Sequence, residues 1–314
     1  MPSKSSPSKV VLIALAGNLA IAASKMGASV FTGSSAMFSE GVHSLVDSAN
    51  ELLLLYGMKR ASLPPSSTHP FGHGRELYFW SFIVALLVLA LGAGVSLAEG
   101  LYHFWFPPKL ERPLLSYGVL AISFVFEGIS WFAALKAFRR EKGSLGYFEA
   151  FRESKDPTSF TVLLEDSAAL LGLIVAFAGL LAAHAFSEPR FDAASSAGIA
   201  AILAVSAILL ARETKGLLIG EPAHPNVGKA ILDIANADAQ VVRANSIITV
   251  QVGVRQIVAA LSAEFEDDLS TQQIESCIKR IEDAANQRHL NLVTLWIKPQ
   301  TPETWKARAP ESNF

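Results

Sequence analysis

Cysteine is almost absent: Cys277 is the single thiol in 314 residues. That excludes an intramolecular disulfide framework and any cysteine-cluster metal site, and a lone thiol on an apolar helix face is ordinary packing. Charge is scarce as well, at 17% Asp, Glu, Lys and Arg. Soluble domains carry about 25%. A net charge of −2 with no concentrated basic stretch argues against nucleic-acid binding. No HExxH pair occurs and no Ser/His arrangement stands out, which counts against a membrane-embedded hydrolase and against an enzyme in general. There is no convincing internal repeat. What is abundant is apolar side chain, 51% of the residues, with a mean hydropathy of +0.36.

The apolar residues are gathered into runs. A membrane-crossing helix needs about 20 mostly apolar residues to span about 30 Å of hydrocarbon. Six segments satisfy this, near 10–31, 37–58, 77–105, 113–137, 158–184 and 192–213. Lys4 and Lys9 precede the first run as in a secretory leader, yet the apolar character continues past Ala23 to Val30, so a retained helix is expected. The loops divide sharply by charge. One set holds Lys4, Lys9, Lys59, Arg60, Arg75, Lys136, Arg139, Arg140, Lys142, Arg152, Lys155, Arg212 and Lys215, and the other only Lys109, Arg112 and Arg190. The positive-inside rule places both termini in the cytoplasm, as an even number of spans requires. A bacterial inner membrane is the expected location.

After Leu218 the composition becomes that of a water-soluble domain. Val227–Asn236 reads as a helix, and Ile248, Val250, Val252 and Val254 alternate as in a strand. Val258–Phe265 and Leu292–Ile297 are further strands, and Ser270 with Gln273 forms a capping box for a helix bearing Ile274, Ile278 and Ile281. The order αββαβ fits a small α+β domain with helices on one face of a sheet. The expected organisation is a transport domain over residues 1–215, an αββαβ domain over 216–299 and a loose tail over 300–314.

Ionisable groups inside hydrocarbon cost several kcal/mol, so each needs a reason. His43 and Asp47 lie four residues apart on one face of the second segment, with Asn50 following on about the same face. In the fifth segment Glu165 and Asp166 interrupt an apolar, small-residue run. An imidazole and carboxylates from two helices suit zinc and its first-row neighbours. A single buried carboxylate can instead simply pair with Lys25, and Glu40, Glu51, Glu99 and Glu127 are weaker candidates, with Glu127 the deepest. His69 and His73, in the loop after the second segment, are either a second, two-ligand metal station or a polar turn punctuated by Pro70 and Gly72. Gly92, Gly94, Gly172 and Gly179 are expected at close helix contacts.

The stretch from Gly33 through His43 and Asp47 to Asn50 resembles the second-helix signature of the cation diffusion facilitator family. His69-Pro-Phe-Gly-His73-Gly resembles the loop that follows it there, and Leu164-Glu-Asp166-Ser-Ala-Ala resembles the fifth-helix motif of an animal zinc-transporter branch. The resemblance implies six transmembrane helices plus a cytosolic ferredoxin-like domain, working as a homodimer in the lipid bilayer. It implies an exporter exchanging Zn2+ for protons by alternating access, with Fe2+, Mn2+ and Co2+ as other cargo its ligand set admits. Carried over position by position, it makes His43, Asp47 and Asp166 transport-site ligands. Many members have a histidine where this chain has Val162, which leaves the fourth ligand open between Glu165, water and a backbone group. The carboxylate that precedes the loop histidines in other members is replaced near Ser66. The C-terminal domain has only His224 and His289, which leaves it mainly a dimerisation role.

Overall fold

The computed structural model describes residues 7–143 and 146–307, so Lys4 and the tail beyond 307 lie outside the described residues. The chain divides into two compact units. One comprises Met1–Lys59 and Leu77–Lys215, the other Arg60–Glu76 and Gly216–Phe314. The loop carrying His69 and His73 thus clusters with the C-terminal unit, whereas a single cut after residue 215 would have left it with the helices.

The first unit is helical throughout. Its elements are α1 (Pro7–Thr32), α2 (Ser35–Ala61), a rod made of α3 (Arg75–Leu87), a π-helical turn (Val88–Ala93) and α4 (Gly94–Trp105), then α5 (Pro113–Lys142), short α6 (Tyr147–Glu153), α7 (Pro157–Ala185) and α8 (Arg190–Ile219). The six long helices coincide with the six apolar segments. The largest difference is α8, which continues to Ile219 because Arg212–Lys215 keep its hydrogen bonding after the hydropathy has dropped. Hydropathy locates the edge of lipid, not the end of a helix. Among the described residues, four helices are long and apolar enough to cross a membrane: Arg75–Trp105, Pro113–Arg140, Pro157–Ala185 and Arg190–Ile219. Glu40, Asp47 and Glu51 make α2 less apolar than these.

Boundaries follow local chemistry. Pro157 sits in the first turn of α7, where its missing N–H costs nothing, and Asp156 accepts a hydrogen bond from the Thr158 N–H at 3.0 Å. α5 also begins on a proline, Pro113. Met37, Val46, Leu173, Ala176, Ile199 and Leu203 belong to one buried cluster between the helices. On α5, Ile122, Val125, Ile129 and Phe132 point outward, a surface that suits hydrocarbon and not water. Of the four glycines expected at close contacts, Gly179 shows the effect clearly: a Cβ there would overlap Ser195 of α8. Gly94 meets nothing beyond its own helix, and lies at the end of the π-helical turn that periodicity does not reveal.

The C-terminal unit follows the αββαβ order: α9 (Pro225–Asn236), β1 (Val241–Gly253), β2 (Gln256–Phe265), α10 (Thr271–Gln287) and β3 (Leu292–Pro299). The sheet runs β1-β2-β3, with β1 and β2 antiparallel and β2 and β3 parallel. Ser270 caps α10 as its sequence predicts: its N–H donates to Gln273 Oε1 at 2.8 Å, and the Gln273 N–H donates to Ser270 Oγ at 3.4 Å. Where a loose tail was expected, Thr301 caps a further turn, α11 (Pro302–Lys306). Ala259, Leu261, Ala263, Ile281 and Ala285 lie in the core between sheet and helices. The row Ile248–Ala260–Trp296 runs across all three strands, and Ile248 and Trp296 remain 49% and 53% exposed. One sheet face is therefore apolar and open there.

A bidentate ion pair ties α10 to the loop before β1: Arg280 Nε and Nη2 donate to the Asp238 carboxylate at 2.8 and 2.9 Å. The Arg280 guanidinium holds Asp238 down to about 2, while burial beside that carboxylate pushes the Cys277 thiol up to about 11. Asp238 has a folded value below its unfolded one. Its contribution is thus full above the ordinary carboxylate range and disappears as pH falls from about 4 towards about 2. Asp238→Asn should melt at a lower temperature than wild type at pH 7, with the gap closing through that acid window in calorimetry. Arg280 is half exposed, so the effect is modest.

Candidate functional site

Four helices enclose a cavity of about 530 Å3 in the first unit. Each presents one helical face to it. α2 offers Asp47, Glu51, Leu54 and Met58, and α7 offers Thr158, Val162, Glu165 and Asp166, both at spacings of three and four residues. α1 contributes Gly17, Asn18 and Ile21, and α5 contributes Phe126, Glu127 and Ser130. Among the described residues, five carboxylates thus line one chamber, and no lysine, arginine or histidine lines it. Anionic oxygen in such density within apolar helices is a cation-attracting arrangement.

Three of the carboxylates accept hydrogen bonds from neutral donors. Ser130 Oγ donates to Asp166 Oδ2 at 2.8 Å, and Asn50 Nδ2 donates to Glu165 Oε1 at 2.8 Å. Asn50 therefore tethers α2 to α7. Asn18 Nδ2 reaches Glu51 Oε2 at 3.3 Å. Glu165 and Asp166 both reach the cavity, although adjacent helical residues diverge by about 100°. The chamber is wide enough to be flanked by both, so no local distortion of α7 is needed.

His43 does not line the chamber. It is buried at 3% exposure, and its Nδ1 has no hydrogen-bond partner. Among the described residues, no three His, Cys, Asp or Glu side chains converge closely enough to hold one metal ion. The structure thus brings Asp47, Glu165 and Asp166 to one cavity but does not gather them with His43 into a ligand shell. Asp166 and Glu165 are each turned to a neutral partner on a neighbouring helix, which spaces them apart.

In the second unit, the His69 and His73 rings lie 4.2 Å apart, and the turn between them places Phe71 against Trp296 of β3. His69 Nδ1 shares a hydrogen with Thr68 Oγ1 at 3.0 Å, while His73 Nδ1 is buried without a partner. The loop is a Gly-punctuated turn, with Gly72 at φ +83°, that brings the two imidazoles side by side.

Residues 11–219 match the cation efflux transmembrane domain. The chain belongs to the cation efflux family. It is 32% identical over 270 residues to a Xenopus laevis protein named proton-coupled zinc antiporter SLC30A9, mitochondrial, covering 85% of this chain and 48% of that one. It is 32% identical to metal tolerance protein C4 of Arabidopsis thaliana over 68% of this chain and 47% of that one, and 26% identical to the manganese efflux system protein MneP of Bacillus subtilis over 54% and 55%. The chain spans about half the length of the relatives it matches.

Three features of this cation efflux protein escaped sequence reading. Lys25 was expected to pair with one buried carboxylate, not to serve two: its Nζ lies 3.2 Å from Glu40 Oε2, 2.8 Å from Ser44 Oγ and 3.6 Å from Glu127 Oε1. Ser130 carries no signal at all in a run of apolar residues. Asp192, at a segment edge where an acid suggests an interfacial residue, is buried on the start of α2. It accepts from Ser34 Oγ at 2.7 Å, the Ser35 N–H at 2.6 Å and the Ala36 N–H at 3.3 Å. The runs of small residues around positions 34–39 and 192–196 were the available clue.

Proposed function

We propose that this chain is an exporter of divalent metal, zinc before iron, manganese or cobalt, that exchanges its cargo for protons by alternating access. The observation that carries this reading is the chamber of five carboxylates enclosed by helices of a cation efflux transmembrane domain. Metal binds carboxylate anions and neutral imidazole, so protons compete for the same atoms and supply the coupling. His43, Asp47 and Asp166 are the transport ligands in this reading. Glu165 is the fourth, since it opens on the same chamber where Val162 replaces an imidazole. The shell closes when the helices rock and Asp166 and Glu165 exchange Ser130 and Asn50 for the ion. His69 and His73 then offer a two-ligand station, which holds metal only weakly. Zinc comes first because the zinc antiporter matches 85% of this chain at 32% identity, against 54% at 26% for the manganese efflux protein; the third relative is named only for metal tolerance.

All six long helices span the bilayer in this reading, with both termini in the cytoplasm. The membrane is one that sustains a proton gradient, the bacterial inner membrane first. The αββαβ unit is a ferredoxin-like cytosolic domain, and its open Ile248–Trp296 face supports pairing into a homodimer. An embedded metalloenzyme has no support from relatives named as antiporter, tolerance and efflux proteins.

Purified protein in proteoliposomes tests the central claim. Zinc uptake into the lumen should rise several-fold when the lumen is made more acidic than the bath, and should alkalinise the lumen in step with metal entry. Flux indifferent to collapse or reversal of that gradient defeats antiport.

A further inference from the structure

Lys25 is completely buried, at 0% exposure, within a bundle of apolar helices. A lysine so placed needs a charged partner or a task. It has two carboxylate partners, and they differ. Glu40 is also 0% exposed and lies 3.2 Å away, seated against α7 where only Gly172 gives it room, since a Cβ there would overlap its Oε1. Glu127 is looser, at 3.6 Å, and it also lines the cavity. Lys25 stands one turn past Ile21 on α1, while Glu40 and Ser44 precede Asp47 on α2. The ammonium therefore lies just behind the end of the chamber where Asp47 sits. Glu127 is the link between the two.

We propose that Lys25 is the resident counter-cation of the carboxylate chamber, and that an arriving divalent metal competes with it for Glu127. This rests on the reading of the chamber as the cargo site. Glu40 keeps the lysine in place, because its carboxylate is enclosed and retains an Oε1 with no hydrogen-bond partner. Glu127 is free to turn from the ammonium to the ion. The lysine then limits how tightly cargo is held: its positive charge opposes the metal across a poorly screened interior, and its claim on Glu127 favours release. A purely structural Lys25–Glu40 pair would have the opposite signature, since breaking it would loosen the bundle and weaken binding.

Zinc binding to the purified full-length protein, measured by competition with a fluorescent chelator at fixed pH, tests the proposal alongside proteoliposome flux. Lys25→Met should bind zinc about tenfold or more tightly and transport it correspondingly more slowly, from one charge removed at short range in a weakly screened interior. Lys25→Arg should stay near wild type in both. Adding Glu127→Gln to Lys25→Met should cancel the gain. Should Lys25→Met not assemble, Lys25→Met/Glu40→Gln removes the pair without leaving a lone charge, and the same tightening is expected. Unchanged or weaker zinc binding in folded variants overturns the proposal, as does failure of the double variant to fold, which would make the pair an anchor. The Asp47→Asn/Asp166→Asn control separates the two readings. If zinc binding to wild type survives that change, the chamber is not the cargo site. If binding is lost there but Lys25→Met behaves as wild type, only the counter-cation role fails.

Discussion

Asp166→Asn should reduce zinc flux to background, at least about 100-fold below wild type, while leaving the protein folded. Asparagine keeps the shape of the side chain, and its carbonyl can still accept the hydrogen bond from Ser130 that now goes to Asp166 Oδ2 at 2.8 Å. What it removes is the anion. A residue that merely supports a ligand costs 10- to 100-fold in metal affinity when changed, and a ligand costs more. Asp47→Asn should behave alike, and the double variant should add little, because two groups serving one ion do not contribute independently. Ser130→Ala gives the internal comparison. It leaves the Asp166 charge in place without its donor, so a loss of about tenfold is expected. Equal losses from Ser130→Ala and Asp166→Asn would mean that Asp166 matters for packing and not for cargo. Transport by Asp166→Asn at the wild-type rate would remove Asp166 from the site and leave Glu165 as the one ligand α7 supplies.

How much of this was legible in the chain depended on the range of the physics involved. Helix positions were readable because each long helix carries its own apolar run, and proline and Asp156 mark where α7 begins. Capping by Ser270 and Gln273 was readable for the same reason, as its two partners are three residues apart. The site was half readable. The spacing of His43 and Asp47 put them on one face, but only the packed helices reveal that Asp47 opens on the chamber and His43 does not. Pairs between distant segments carry no local pattern. Asn50 finds Glu165 across 115 residues and Ser34 finds Asp192 across 158, and nothing in either neighbourhood names the other. Short α6 and the π-helical turn stayed hidden because one lies in a polar loop and the other inside an apolar run with unbroken hydropathy.

The second large effect concerns Asp192, which binds no cargo. Asp192→Ala should destabilise the helical unit by about 3 kcal/mol in mixed-micelle denaturation: a lost helix cap costs about 0.5–2 kcal/mol, and buried donors left unpaired cost about 1–3 kcal/mol. Two α2 N–H groups, of Ser35 and Ala36, donate to Asp192 Oδ2, while Ser34 Oγ donates to Oδ1. The Ser35 hydroxyl also donates to Oδ2 at 3.2 Å, and alanine leaves all four donors without that acceptor, far from water. Asp192→Asn should be much milder, about 1 kcal/mol, because its carbonyl can face the two N–H groups while its amide donates to the Ser34 hydroxyl. The ranking distinguishes a capping role from a charge requirement, since asparagine keeps the acceptor and removes the charge. It also bears on transport. α2 carries Asp47 and Glu51 several turns beyond this cap, so a loosened start lets the helix shift along its axis and disperses the carboxylates it supplies to the chamber. Asp192→Ala should therefore lose zinc affinity with Asp47 and Asp166 intact, and Asp192→Asn should largely retain it. Asparagine as damaging as alanine would show that α2 is held by the negative charge and not by the accepted hydrogen bonds.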